Sequence, residues 1–139
     1  MVAPQLAELV ESGQLRVEFK QFPLNDAESV WAVEAVECAA DQGMWYAMHS
    51  HIFANQGRQK ISTALTEQYA ADLGLDTEAF KQCVRGDKYK ATAETYQKEA
   101  EDRGLRGTPA FFLNGEAINL DTLKSWNDIP NVVKQAVNK

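Results

Sequence analysis

No Cys-x-x-Cys occurs anywhere in the chain, and the only two cysteines, Cys38 and Cys83, stand 45 positions apart. That spacing suits neither a zinc site nor a disulfide-dense scaffold. No apolar run reaches the roughly 18 residues a membrane span requires, so no membrane partner is expected. Clustered Lys and Arg are missing too, and the net charge of −6 argues against nucleic acid, whose phosphates need concentrated positive charge. The stretch from Met1 to Val10 has neither a basic start nor an apolar signal core. The expectation is a cytoplasmic protein, or one whose export signal is not in this chain. Low-complexity linkers and internal repeats are absent as well. The 139 residues, 45% apolar and 24% charged, suit one soluble domain with its own core.

The apolar pattern divides the chain. Val2, Leu6, Leu9 and Val10 lie at helical spacing up to Ser12-Gly13, with Pro4 in the first turn and no capping side chain before it. Leu15, Val17 and Phe19, then Phe22, alternate with Arg16, Glu18 and Lys20, which predicts a strand over 15–22 closed by Pro23. Asn25-Asp26 supplies a cap for a helix over about 27–41, interrupted at Gly43 and followed by a second piece over 44–54. Helices are predicted over about 63–73, 77–84 and 88–103, the last ending at Gly104. After them, Thr108-Pro109, a short apolar run and Asn114-Gly115 describe a hairpin, because Asn-Gly favours the tight two-residue turn. Helices near 120–126 and 131–137 complete the order.

The nonapeptide from Gly107 to Gly115 (Gly-Thr-Pro-Ala-Phe-Phe-Leu-Asn-Gly) resembles the cis-proline loop and following strand of DsbA-like thiol-disulfide oxidoreductases. The likeness extends over nearly the whole chain. Residues 2–13 resemble the second half of the helix that carries the redox cysteines, and 14–24, with Phe22-Pro23-Leu24, the strand and turn after it. Glu37 to Gly43, Trp45 to Phe53, and Phe80 with Cys83 and Val84 resemble parts of an inserted helical lid. The resemblance implies one α/β thioredoxin-fold domain over 1–139, with a helical insertion over about 27–104. It also implies that the central strand and Cys-x-x-Cys helix start of the family are missing, so residues 15–22 and 110–113 must pair directly or with a second chain. A homodimer through the exposed sheet edges is the expectation.

Function follows from the same comparison. In the family the proline loop holds an extended peptide or protein substrate by strand addition, which makes Thr108 and Pro109 the substrate-binding candidates. No residue is assigned as catalytic, because disulfide exchange needs an activated thiolate and a resolving thiol close by. Cys38 and Cys83 are candidates for a structural disulfide across the helical block, the alternative being two buried free thiols. No cofactor or metal is implied, since His49 and His51, at i and i+2, point apart on a helix. His49 is expected to pack within the lid. Three readings follow: a shortened form of an ordinary oxidoreductase, favoured by the capless half-helix after Met1; a redox-inactive binding or structural module; and, fitting less well, a relative of glutathione-transferase-like isomerases. The family is often extracytoplasmic.

Overall fold

The computed structural model describes residues 6–24 and 26–137. Val2, Pro4 and Asn25, named above for the first helix and the cap, lie outside the described residues. The chain forms two compact units, Met1–Phe19 with Gly107–Lys139, and Lys20–Arg106.

The second unit is all helical: α2 (Ala27–Ala40), α3 (Trp45–Ala54), α4 (Thr63–Asp72), α5 (Thr77–Arg85) and α6 (Lys90–Asp102). The caps are those the sequence advertises. Asp26, Ser62 and Asp76 each accept a hydrogen bond from a first-turn N–H, of Ser29, Leu65 and Ala79, which satisfies a donor the helix itself cannot. Helix α2 packs against α3, α4, α5 and α6. Its middle is accordingly apolar on several sides, with Val33, Ala35, Val36, Cys38 and Ala39 all buried. Met48 and Phe80, both fully buried, fill the space beside it. By contrast, α6 buries only Ala93 and Ala100, seven positions apart on one stripe. Its other faces carry solvated charges, including the pair Lys98–Asp102 one turn apart at 2.8 Å.

The first unit is smaller. It holds α1 (Ala7–Glu11), the hairpin β1 (Phe112–Leu113) and β2 (Glu116–Ala117), and α7 (Ile129–Val137). The strands are antiparallel with Phe112 opposite Ala117 and Leu113 opposite Glu116. Asn114 and Gly115 both have positive φ (52° and 90°), the backbone twist that a two-residue hairpin turn demands. Leu6, Ile129 and Val133 form the buried centre, with Leu9, Leu15, Phe111, Leu113, Leu123 and Val137 packed around it.

Two expectations are corrected. Residues 15–24 form no strand, and they do not pair with 110–113; among the described residues the sheet is the hairpin alone. Period-two alternation supplies one apolar face, but a strand also needs a neighbour for its backbone groups. Side chains anchor the later part of this segment instead. Lys20 Nζ donates to Glu99 Oε1 at 2.6 Å, and Gln21 Nε2 donates to Glu37 Oε1 at 2.7 Å. The helix expected over 120–126 is also replaced, by 3-10 turns at Leu120–Thr122 and Trp126–Asp128. Leu123 is extended between them (φ −92°, ψ 137°), while Asp128 Oδ2 accepts from the N–H groups of Lys124 and Ser125. Such local side-chain bonds compete with a continuous helix.

Candidate functional site: the proline loop and the helical-unit disulfide

Gly107 to Ala110 lead into the hairpin, and all four are exposed. The Thr108–Pro109 peptide bond is cis. Just beyond, the Ile118 N–H donates to the Phe111 carbonyl at 2.8 Å, extending the hairpin by one bond toward the loop. The main chains of Thr108 and Ala110 make no hydrogen bond among the described residues. Their N–H and C=O groups are therefore available to an incoming extended chain, which is the chemistry strand addition uses. The loop itself carries no acid, base or nucleophile beyond the Thr108 hydroxyl.

The other predicted pair lies in the helical unit. Cys38 on α2 and Cys83 on α5 are joined by a disulfide, with Sγ–Sγ 1.98 Å and Cα–Cα 5.9 Å. Cys38 is buried and Cys83 partly so. Neither sulfur is a free thiol, so no described side chain offers a thiolate for exchange. The structure thus joins the two cysteines with each other, and it places Thr108 and Pro109 in a different unit. Beside the disulfide, Asp41 at the end of α2 accepts from Lys88 Nζ at 2.7 Å and from Tyr89 Oη at 2.6 Å. The hydrogen bond from Lys88, then that from Tyr89, holds the Asp41 carboxyl below its usual range.

The histidines diverge as the helical spacing requires. His49 stacks between Trp45 and Phe53, at 4.8 and 4.6 Å between ring centres, so three rings line one edge of α3. Burial disfavours its charged form and lowers its pKa. His51 instead meets the Tyr69 ring edge-on at 4.6 Å, with Asp72 3.8 Å away. Among the described residues no cluster of His, Cys, Asp or Glu is arranged to hold a metal ion.

Sequence reasoning missed Glu34. It is only 4% exposed, and its Oε1 has no hydrogen-bond partner. Burial raises its pKa, the neighbouring Asp87 adds to the rise, and Lys90 opposes it. The available signal was a glutamate inside the run Val33-Glu34-Ala35-Val36, where every neighbour belongs to the core.

A helical unit carried between the first and last segments of a hairpin-bearing unit, with a proline loop at the return, defines an α/β thioredoxin-like protein. A family model described as thioredoxin matches residues 1–134, and the chain belongs to that family. Among curated proteins, it is 33% identical over 110 residues to Na(+)/H(+) antiporter NhaA 3 of Salinispora tropica, covering 77% of this chain and 16% of the relative. It is 30% identical over 109 residues to NhaA 1 of Salinispora arenicola, again covering 77% and 16%. To NhaA 1 of Mycobacterium sp. strain KMS it is 36% identical over 102 residues, covering 70% and 16%. The chain therefore spans about a sixth of the length of the curated relatives it matches. None of its described helices is long and apolar enough to cross a membrane.

Proposed function

We propose that this chain is a DsbA-like thioredoxin-fold protein that binds an extended peptide or protein substrate at Thr108 and Pro109, without catalysing disulfide exchange itself. The observation that carries the reading is the exposed Thr108–Pro109–Ala110 backbone, free of hydrogen bonds among the described residues, beside a sequence that has no Cys-x-x-Cys. A peptide laid along the loop gains main-chain hydrogen bonds at Thr108 and Ala110, where the loop loses nothing it already makes. The chemistry stops at binding. Exchange requires a reactive thiolate or a disulfide sulfur open to attack by a substrate thiolate, and the one cysteine pair of this chain is no Cys-x-x-Cys: its two members stand 45 positions apart on α2 and α5, with Cys38 buried. The Cys38–Cys83 bond serves as a staple of the helical unit. Antiport does not transfer from the relatives, because the stretch they share with this chain is only about a sixth of their length.

Two measurements test this reading. In a dithiothreitol-driven insulin reduction assay the chain is expected to give no turnover above the uncatalysed rate; sustained turnover would overturn the inactive assignment. A fluorescein-labelled unfolded peptide is expected to bind, and Ala110→Pro, which removes the Ala110 N–H, to weaken that binding by about tenfold, the loss of about one main-chain hydrogen bond. Equal affinity for the two proteins would remove the loop from the site.

A further inference from the structure

Residues 14–19 combine a strand-forming sequence with a conformation that forms no strand. Leu15 packs on the Leu6, Ile129 and Val133 cluster. Val17 and Phe19, which follow it on the same face of the alternation, stay 37% and 36% exposed. The charged face is more exposed still, with the Arg16 and Glu18 side chains at 89% and 58%. Those two meet each other at 3.4 Å along the segment, a solvated contact of little energetic weight. The main chains of Arg16 and Val17 have no hydrogen-bond partner among the described residues.

We propose that a second copy of this chain covers the segment, the two pairing antiparallel about a two-fold axis through Val17. That register sets Leu15 opposite Phe19 of the other copy, Val17 opposite Val17, and Arg16 opposite Glu18, twice by symmetry. Apolar side chains meet only apolar ones on one face, and opposite charges meet on the other. Neighbouring registers fail on charge. Centring on Glu18 sets Glu18 against Glu18 and Arg16 against Lys20; centring on Arg16 sets Arg16 against itself. Centring on Phe19 would draw in Lys20, which is already bonded to Glu99, and would place Arg16 opposite Phe22. Only the Val17 register satisfies both faces and leaves the Lys20–Glu99 pair intact. The Arg16–Glu18 contact within each copy is exchanged for two between copies, and the unpaired backbone of Val17 exchanges its N–H and C=O bonds with Val17 of the other copy across the axis.

Charge reversal tests this directly, because both positions are exposed and their substitution leaves the core untouched. Sedimentation equilibrium of the 139-residue chain is expected to show a monomer–dimer equilibrium. Arg16→Glu turns both cross-strand pairs into repulsions and should raise the dimer dissociation constant by about tenfold or more. Adding Glu18→Arg restores opposite charges and should recover most of the loss. Far-UV circular dichroism of each variant checks that the fold is unchanged. A wild-type chain that stays monomeric at about 100 µM, where even weak dimers register, overturns the proposal. So does a dimer whose stability ignores the single reversal, or one the double reversal fails to rescue.

Discussion

Glu34 shows how much one side chain can contribute to the pH response of the helical unit. Its burial beside Asp87 keeps the carboxyl above its ordinary pKa, against the pull of Lys90. A raised carboxyl pKa makes stability present at low pH and removes it as pH climbs from the unfolded value, about 4, through the folded one. At neutral pH and above, the folded chain holds either a buried charge or a proton that the unfolded chain would release. Glu34→Leu should therefore match or exceed the wild type in urea unfolding at pH 8, by about 1–3 kcal/mol, the usual cost of an orphaned buried polar group. The advantage should shrink toward pH 4, and a gap that stays constant with pH would remove Glu34 from the explanation. Pattern reading alone did not expose this residue. A glutamate in an apolar run is compatible with a turn of helix that faces water, and only the packing of α2 on its neighbours buries that turn.

At the scale of elements, the helices were legible because their signals are local. Asp26, Ser62 and Asp76 each announce a start one residue before the helix, and each makes the capping bond its residue type predicts. The hairpin was legible for the same reason, since Asn114-Gly115 accepts positive φ at both positions where other residue pairs resist it. The segment 15–22 was not, because a strand is defined by a partner distant in sequence. The Cys38–Cys83 link is an element-scale feature too, tying α2 to α5 across 45 residues. In the chain-entropy account a loop of that length is worth about 4 kcal/mol. The double substitution Cys38→Ala with Cys83→Ala should lose most of that amount in urea unfolding, and reduction of the wild type should lose a similar share. A loss under about 1 kcal/mol would mean that packing of Phe80, Met48 and Val36 holds α5 to α2 without help from the bond.

Over the whole molecule, the two units differ in what holds them. The helical unit surrounds α2 with four helices and a disulfide. The other unit relies on a small cluster around Leu6, Ile129 and Val133 and a hairpin of two residues per strand. Two-stranded sheets are marginal in water, so local opening there should cost little. Native-state hydrogen exchange should find the slowest amides in α2, from Val33 to Ala39, with those of Phe112 to Ala117 exchanging at least about a hundredfold faster, a difference of roughly 3 kcal/mol in opening free energy. Comparable protection in the two places would contradict this ranking.

Thioredoxin-family membership and the absence of a Cys-x-x-Cys could both be read from the sequence alone, as could the helix starts and the Asn-Gly turn. Each depends on residue types at short spacing, where the physics is local. The tertiary structure alone decided that Cys38 and Cys83 are bonded, that Glu34 is buried without a partner for its Oε1, and that 15–22 remains outside the sheet. Those outcomes turn on which distant segments come within bonding range, and periodicity along a chain carries no information about that distance.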